Sequence, residues 1–283
     1  MLSKNIETFI GCDAEYTDAD IVLFGAPYDS TTSYRPGARF GGKVIRNESF
    51  GLESYSPYQD KDLTDKRIFD AGELELPFGD ADRVLKSIEE QAGKILADQK
   101  FPLMIGGEHL VTLGGVRAAY QKYPDLHIIH FDAHVDLRED YLGVKLSHAC
   151  VMRRAWELLG DGKIFQFGIR SGDREEFKWA QAGHVKTRCF DFAGLAEVVS
   201  KLRDKPIYLT VDLDVLDPSV FPGTGTPEAG GVNFIQLYEA IKVVCSGARL
   251  VAGDLTELCP VYDQTGVSTA TACKLLRERL LML

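Results

Sequence analysis

The sequence predicts an α/β fold built around a mostly parallel β-sheet. Short apolar segments alternate with longer segments of helical periodicity, and clusters of polar side chains follow the apolar segments. Such alternation is typical of parallel strands with helices on both faces of the sheet. The chain contains no internal repeat, low-complexity tract or linker, so we interpret residues 1–283 as a single domain.

Six short segments rich in β-branched and aromatic residues are predicted strands. They are 20–25, 102–105, 126–131, 164–168, 207–211 and 250–253. Five segments have the apolar spacing of an amphipathic helix. They are 81–99, 110–123, 148–159, 234–245 and 265–281. In such a fold, ligands bind in a crevice at the carboxyl ends of the strands.

Composition and charge exclude several classes of protein. The chain has 32 basic and 42 acidic residues and a formal charge of −10, which argues against nucleic acid or an anionic membrane as a partner. No apolar run reaches the roughly 18 residues of a membrane helix, and the first residues lack a signal-peptide core. The six cysteines form no C-x-x-C pair, so we expect a reduced, cytoplasmic protein.

Acidic and imidazole side chains follow four of the predicted strands. His109 ends the segment GGEH, and Glu257 ends the segment DLTE. The other two strands run into DAHVD (132–136) and DLDVLD (212–217). Because parallel strands end at the same edge of a sheet, we expect these side chains to converge.

The spacing of these side chains predicts a metal site. In extended chain, residues at i, i+2 and i+4 share one face, which holds for each of the two aspartate-rich segments. Clustered carboxylates repel one another unless cations compensate, and four carboxylates match two divalent ions. Mixed carboxylate and imidazole ligands suit Mn²⁺, Fe²⁺, Co²⁺ or Zn²⁺. The predicted ligands are His109, Asp132, His134, Asp136, Asp212 and Asp214.

Four nearby polar residues have simpler interpretations. Asp217 precedes a proline and is interpreted as a turn residue. His130 lies further down its strand and is interpreted as a hydrogen-bonded core histidine. His127 and His184 belong to no cluster of candidate ligands, so we expect ordinary surface or core positions for both.

Three segments resemble the metal-binding signatures of the ureohydrolase family, which includes arginases, agmatinases and formimidoylglutamases. They are PLMIGGEH (102–109), FDAHVD (131–136) and DLDVLDPSVFPGTGTPEAGG (212–231). The resemblance is nearly chain-wide, from VLFGAPYDSTTSYRPGARFGGKVIR (22–46) to DLTELCP (254–260). Three segments are most similar to the agmatinase branch: RPGARFG (35–41), GIRSGDREEF (168–177) and GTGTPEAGG (223–231).

The resemblance implies a three-layer α/β/α fold and a binuclear manganese site that hydrolyses a guanidinium to urea and an amine. One Mn²⁺ would be held by His109, Asp132, Asp136 and Asp212. The other Mn²⁺ would be held by Asp132, His134, Asp212 and Asp214, so that Asp132 and Asp212 bridge. Members of the family are usually trimers or hexamers, so we expect a homo-oligomer.

A metal pair suits this reaction because the guanidinium carbon is a poor electrophile and water is a weak nucleophile. Two ions about 3.5–4 Å apart can bridge one water and lower its pKa, and the bridging hydroxide then attacks the carbon. Asp136 can bind metal and orient this hydroxide. The resemblance assigns Glu257 to the guanidinium and His148 to proton transfer. From the residues alone, both could instead serve structural roles at helix starts.

The resemblance to agmatinases favours agmatine as the substrate, a small cationic guanidino compound, and implies its hydrolysis to putrescine and urea in polyamine biosynthesis. Arg138 departs from the arginase pattern, which usually has Asn there. Its guanidinium could bind a substrate carboxylate, which would favour arginine, guanidinobutyrate or formiminoglutamate. It could instead pair with Glu139 or Asp140, or point to solvent. Glu228 is a candidate partner for the distal amine, or a solvated loop residue.

Two loops and two arginines complete the candidate site. Segments 137–147 and 223–231 flank the ligand segments and are expected to form walls for the substrate tail. Arg35 and Arg39 could form structural ion pairs or a subunit contact, and the sequence leaves both open.

Three rival interpretations of the same residues are less consistent with the sequence. Cys150 could be the nucleophile of a metal-independent guanidine hydrolase, but its apolar neighbours favour an inert core thiol. A zinc deacetylase on a related fold would not need the ligands of a second metal. A non-catalytic, metal-stabilised binding protein would not need a competent side chain at every chemical position.

Overall fold

The computed structural model describes residues 7–283. The strands are β1 (Ile21–Ala26), β2 (Tyr55–Ser56), β3 (Lys61–Asp62), β4 (Ile68–Glu73), β5 (Phe101–Gly106), β6 (His127–Phe131), β7 (Ile164–Ile169), β8 (Lys186–Cys189), β9 (Pro206–Asp212) and β10 (Arg249–Thr256). The helices are α1 (Gly41–Ser49), α2 (Ala81–Ala97), α3 (Thr112–Lys122), α4 (Val151–Leu159), α5 (Arg174–Trp179), α6 (Leu195–Lys201), α7 (Phe234–Gly247) and α8 (Val267–Met282). The predicted domain also includes residues 1–6, which lie outside the described residues.

Eight strands form one parallel sheet in the order β4-β1-β5-β10-β9-β6-β7-β8. The remaining strands, β2 and β3, form a small antiparallel pair. The last strand of the chain, β10, lies between β5 and β9 in the middle of the sheet. The four strands followed by predicted site residues are therefore adjacent: β5, β10, β9 and β6.

Helices cover both faces of the sheet. Side chains alternate between the two faces along each strand, so apolar residues on both faces are buried against helices. On β1, Leu23 packs in a core with residues of α1, α6, α7 and α8. Its neighbours Val22 and Phe24 pack in a second core with residues of α2, α3 and α4. The predicted three-layer α/β/α architecture is confirmed.

Helices α2, α5 and α7 begin at residues whose side chains accept hydrogen bonds from free backbone N–H groups. The Asp80 carboxylate accepts a hydrogen bond from the Arg83 N–H (3.1 Å) at the start of α2. Asn233 and Gln236 form a reciprocal capping box at the start of α7. Within residues 7–283, no helix has both the length and the apolar composition needed to span a membrane.

All six predicted strands are present, and the sheet has two further strands at its edges that were not predicted from the sequence. The edge strands β4 (IFDAGE) and β8 (KTRC) carry polar residues because one side of each strand has no neighbour. Three short helices were also missed, namely α1, α5 and α6. Helix α1 begins with two glycines, which weaken a helical pattern.

The edge strand β4 is held to α1 by a buried ion pair. Arg46 Nε and Nη2 each lie 2.9 Å from a carboxylate oxygen of Asp70, and Arg46 Nη1 pairs with Glu73. Arg46 and Asp70 are buried, and Asp70 also accepts the Phe9 N–H at 2.9 Å. Removing the arginine would leave the Asp70 carboxylate buried without its cation.

We expect Arg46→Met to lower the free energy of unfolding by about 3–5 kcal/mol, because it breaks a buried ion pair from one side. Denaturant titration monitored by circular dichroism measures this loss. Arg67→Met is the matched control, since Arg67 pairs with Asp20 on the surface, where both side chains are more than half exposed. It should cost at most about 1 kcal/mol. Equal losses for the two variants would contradict the prediction.

Candidate active site and metal centre

The six predicted metal ligands meet at the carboxyl edge of the sheet. His109 lies in a 3-10 turn after β5, and segment 132–136 follows β6. Asp212 is the last residue of β9, and Asp214 lies in the following 3-10 turn, Leu213–Val215. His134 is partly exposed, and the other five residues are buried.

The prediction that the ligand segments are extended, with residues i, i+2 and i+4 on one face, is wrong. Residues 132–136 lie in a loop, and Asp214 lies in a 3-10 turn. Strand β6 ends before Asp132, and the next residues form a loop in which His134 keeps a strand-like bridge to Ser171. The His134 N–H donates to the Asp132 carboxylate (2.5 Å), and the Asp214 N–H donates to the Asp212 carboxylate (2.9 Å). These local bonds curl the chain around each carboxylate and replace the strand ladder.

Asp136 adopts a left-handed backbone conformation, with φ +53°. Its carbonyl accepts the N–H groups of Met152 (3.0 Å) and Arg153 (3.2 Å) in α4, and its carboxylate reaches His109. A non-glycine residue in this region stores strain that its surroundings must hold. The strained turn thus joins the start of a helix to the ligand cluster.

Both predicted histidine ligands present Nδ1 to the carboxylates. His109 Nδ1 lies 2.9 Å from Asp132, 3.0 Å from Asp136 and 3.4 Å from Asp212. Its Nε2 lies 2.9 Å from the Thr210 hydroxyl, which can accept the ring proton and leave Nδ1 free as a ligand. Around the other histidine, the ligand atoms of Asp132, His134 and Asp214 all lie within 4.8 Å of one another.

The electrostatics of the cluster favour added positive charge. Burial, followed by neighbouring carboxylates, raises the pKa of Asp212 and raises that of Asp136 to about 7. Burial lowers the pKa of His109 and His134, but hydrogen bonds and charges from the carboxylates outweigh it and raise both. Within residues 7–283, neither Lys nor Arg pairs with the four carboxylates. The donor set therefore fits a pair of divalent cations.

Glu257 and residues of the ligand cluster line one cavity, which has a volume of about 250 Å³. Its side chain is buried, and Oε1 accepts the backbone N–H of His109 at 2.7 Å. Burial raises the pKa of Glu257, and the charges of Glu108 and Asp214 add to this effect. The next helix, α8, begins only at Val267, so the alternative of a helix N-terminal glutamate is wrong.

His148 also lines the cavity, from a 3-10 turn that precedes α4. The helix predicted over 148–159 therefore begins three residues later, at Val151. His148 Nε2 lies 3.2 Å from the Ser33 hydroxyl, and Nδ1 lies 3.5 Å from the Thr31 hydroxyl. Burial, followed by the charge of His134, lowers the pKa of His148 to about 4. The imidazole is therefore neutral at neutral pH.

Arg138 forms part of the cavity wall, with its charge engaged inside the protein. Nη1 lies 2.8 Å from Asp173, Nε lies 3.7 Å from Glu176, and the guanidinium lies 4.9 Å from the centre of the Tyr141 ring. The suggested pairing with Glu139 or Asp140 was wrong. The partner of Arg138 is instead Asp173, which is distant in sequence and reaches the guanidinium from the segment after β7.

The two predicted wall segments both contribute to the cavity. The first supplies Arg138 and Tyr141, and the second supplies Thr226, whose hydroxyl donates to Asp214 at 3.2 Å. Glu228 accepts a hydrogen bond from the Ser171 hydroxyl (2.9 Å), and its carboxylate lies 4.0 Å from His134 Nε2. A third wall, residues 171–176, was not assigned from sequence.

Glu108 is a buried acidic residue that the sequence analysis did not assign. It accepts hydrogen bonds from the Thr31 N–H (2.9 Å), the Thr31 hydroxyl (2.5 Å) and the Thr32 hydroxyl (3.1 Å). These bonds anchor the segment that contacts His148. The available sequence signal was its place directly before the predicted ligand His109.

The remaining polar candidates have structural partners. The Asp217 carboxylate accepts N–H groups from Ser219 (3.0 Å), Gly230 (2.8 Å) and Gly231 (2.9 Å), so the turn interpretation is confirmed. His127 bonds the Asp125 carbonyl (2.8 Å).

His184 lies away from the cluster and pairs with Asp161 at 2.7 Å. Cys150 is buried, and burial raises the pKa of its thiol to about 12, which opposes the thiolate that a nucleophile needs. Both residues therefore have the ordinary positions expected from sequence.

Arg35 and Arg39 both have partners within the chain. Arg39 pairs with the buried carboxylate of Asp29. Arg35 donates to the Thr224 carbonyl at 2.6 Å, and its guanidinium lies 4.3 Å from the centre of the Tyr262 ring. The structural interpretation of the two arginines is therefore supported by contacts.

A parallel sheet with a carboxylate and imidazole cluster at its carboxyl edge is the arrangement expected of a ureohydrolase, and comparison with known proteins agrees. The chain belongs to the arginase family, whose model matches residues 19–282. It is similar to an agmatinase of Bacillus subtilis, with 48% identity over 277 residues that cover 97% of this chain and 96% of the relative. The protein is therefore a hydrolase of the ureohydrolase type, as predicted.

Solved structures show the same similarity. A candidate agmatinase from Clostridium difficile has a TM-score of 0.92 and 51% identity, covering 95% of this chain and 98% of its own. An agmatine ureohydrolase of Thermoplasma volcanium has a TM-score of 0.90 and 34% identity, covering 99% and 94%.

We expect Asp132→Asn to abolish tight Mn²⁺ binding, because it removes one of the two carboxylates, Asp132 and Asp212, that the family resemblance assigns to both ions. The loss of Mn²⁺ affinity should exceed the about 10–100-fold that is typical when a hydrogen-bond partner of a metal ligand is removed. Equilibrium dialysis with metal analysis measures the bound Mn²⁺. Asp217→Asn is the control, since Asp217 caps a turn in the neighbouring segment. Wild-type metal content in Asp132→Asn would contradict the assignment of the ligands.

Proposed function

We propose that the protein hydrolyses agmatine to putrescine and urea at a pair of Mn²⁺ ions. The observation that carries this proposal is the buried Glu257 carboxylate, which lines one cavity with the metal-ligand cluster. A carboxylate can bind a planar guanidinium through two hydrogen bonds, and this would hold the guanidinium carbon beside the divalent cations. The similarity to agmatinases supports the substrate.

His109, Asp132, His134, Asp136, Asp212 and Asp214 would hold the two ions. When bound, such a pair makes water acidic enough to act as a nucleophile at neutral pH. Other divalent cations suit the same mixture of carboxylates and imidazoles. The protein contributes ligands held in place by backbone N–H groups and by the turn at Asp136.

Glu257 binds and orients the guanidinium. The His109 N–H holds one carboxylate oxygen at 2.7 Å, so the position of the side chain is set before the substrate arrives. An unpaired carboxylate in a buried place is costly, and a cationic partner removes that cost. Two N–H groups of the planar substrate can then bond this carboxylate side by side.

His148 transfers the proton that the reaction must move. Attack of water forms a carbon–oxygen bond and releases a proton, which the neutral imidazole can accept. The carbon–nitrogen bond to the leaving amine then breaks, and the imidazolium returns its proton to that nitrogen. Thr31 and Ser33 hold the ring at the cavity wall.

The rim of the cavity favours an amine over a carboxylate on the substrate tail. Asp173 and Glu176 line the cavity, and the Glu228 carboxylate lies 4.0 Å from His134 Nε2. Arg138, which also lines the cavity, is already paired with Asp173. Glu228 is the proposed partner of the distal amine. The alternative is the same chemistry on arginine, guanidinobutyrate or formiminoglutamate. The position of Arg138 in the cavity wall favours this alternative, because its guanidinium could bind the carboxylate of such a substrate. Such a substrate would have to displace Asp173.

The proposal includes the setting of the enzyme. We infer a cytoplasmic homo-oligomer, a trimer or a hexamer, of single-domain chains spanning 1–283, acting in putrescine biosynthesis without a nucleic-acid or membrane partner. The net charge of −10 and the free cysteines support this setting. A non-catalytic binding protein is the remote alternative, and it would not require Glu257 and His148 beside the ligand cluster.

We expect Mn²⁺-loaded protein to hydrolyse agmatine with a higher kcat/KM than arginine, guanidinobutyrate or formiminoglutamate. The reason is the acidic rim together with the engaged charge of Arg138. Colorimetric urea detection and amine chromatography measure the products. A chelator should abolish turnover, and an alkylating reagent should not, because Cys150 is buried.

Two results would overturn parts of this proposal. Preference for a carboxylate-bearing substrate would show that Arg138 binds the substrate tail. Full activity in chelator, with loss on alkylation, would favour the cysteine mechanism over the metal mechanism.

We expect Glu257→Gln to lower kcat/KM for agmatine by about 10–150-fold, the equivalent of one charged hydrogen bond of about 1.5–3 kcal/mol. The variant should still bind two Mn²⁺ per chain, because Glu257 is not a proposed ligand. Steady-state kinetics and metal analysis on the same sample separate the two effects. Unchanged kinetics would remove Glu257 from the substrate site.

A further inference from the structure

Gln166 is a polar residue in the middle of the apolar strand β7, with the sequence IFQFGI. Its side chain is fully buried and does not belong to the predicted ligand set. A buried amide is costly unless its hydrogen bonds are made. The partners of Gln166 therefore show what the residue does.

The orientation of the Gln166 amide follows from two of these partners. Nε2 lies 2.7 Å from the Val135 carbonyl oxygen, which can only accept, so the amide nitrogen must face it. Oε1 accepts a hydrogen bond from the Thr187 hydroxyl at 2.9 Å. Exchanging the two ends of the amide would place an oxygen against the Val135 oxygen.

This orientation determines the tautomer of His130. Gln166 Nε2 also lies 3.0 Å from His130 Nδ1, and an amide nitrogen only donates, so Nδ1 must be the acceptor. The ring proton is then on Nε2, which lies 2.7 Å from Asp132 Oδ2 and donates to it. His130 is close to His109 and Asp132, but its Nε2 has no lone pair left for a metal.

We propose that Gln166 and His130 are positioning residues for the metal centre. Gln166 makes His130 a hydrogen-bond donor, and that donation orients the Asp132 carboxylate proposed to bridge the ions. The same amide holds the ligand loop at the Val135 carbonyl, between His134 and Asp136. This inference rests on the proposed metal site.

The geometry around Asp132 shows why such a donor matters. Oδ2 faces both His130 (2.7 Å) and His109 Nδ1 (2.9 Å), and Oδ1 accepts the His134 N–H at 2.5 Å. Donors on both oxygens fix the plane of the carboxylate, so its remaining lone pairs have set directions. Without the His130 donor, the carboxylate would lose one of these restraints.

The test is Gln166→Met, which keeps the length of the side chain and removes both donated hydrogen bonds. Mn²⁺ binding to the metal-free variant, measured by isothermal titration calorimetry, should remain at two ions per chain and weaken about 10–100-fold. The Mn²⁺ concentration for half-maximal activity should rise by the same factor, with an unchanged KM for agmatine at saturating Mn²⁺. Gln166→Glu keeps the volume but not both donors, and should weaken binding similarly.

Gln59→Met is the matched control. Gln59 also donates two hydrogen bonds through its amide, to the Glu278 carbonyl (2.9 Å) and the Glu278 carboxylate (2.8 Å), far from the ligand cluster. It should lower the melting temperature of the metal-free protein without changing Mn²⁺ affinity. If the Gln166 variants likewise lost only melting temperature, Gln166 would be structural and the inference would be wrong.

Two further measurements complete the test. If His130 were itself a ligand, His130→Leu would bind one Mn²⁺ per chain instead of two, which would overturn the inference. Nitrogen-15 shifts of labelled histidine in the metal-free protein report the tautomer directly, and we expect the proton of His130 on Nε2. If wild-type protein bound no Mn²⁺, the proposed function would fail, while a His130 proton on Nδ1 would refute only the inference.

Discussion

Repulsion among four carboxylates at the carboxyl edge of the sheet is the constraint on which this structure depends. Asp132, Asp136, Asp212 and Asp214 are almost fully removed from water, where like charges are least tolerable. Backbone N–H groups, a strained turn and the two histidines hold them together, but none of these supplies a permanent positive charge. The cluster therefore favours added positive charge, from protons or from divalent cations.

The chain treats buried acids differently where no ligand is needed. Asp70 is buried beside α1, but Arg46 supplies its cation from within the chain, in a fork of two hydrogen bonds. At the active site, the arginine in the cavity wall, Arg138, is bound to Asp173 and kept away from the ligands. Asp70 is thus neutralised by an arginine of the same chain, whereas neither Lys nor Arg within residues 7–283 pairs with the four carboxylates of the candidate metal site.

Polar residues behind the ligands give the site its rigidity. The Thr210 hydroxyl lies 2.9 Å from His109 Nε2, Glu108 anchors the segment that contacts His148, and Gln166 makes His130 a donor to Asp132. Thr210 and Gln166 lie within strands, and Glu108 lies two residues after the end of β5; all three are buried. Because a buried polar group is tolerated only when it is bonded, these contacts have few alternatives.

The sequence by itself determined the α/β class, the six candidate ligands and Glu257, because periodicity and side-chain chemistry are properties of short segments. It did not reveal that β10 lies between β5 and β9, nor that the edge strands β4 and β8 exist, since pairing depends on residues far apart in the chain. The partner of Arg138 and the hydrogen-bond direction at His130 also depend on tertiary structure. In both cases a neighbouring strand, β7 or the segment after it, supplies the group that decides.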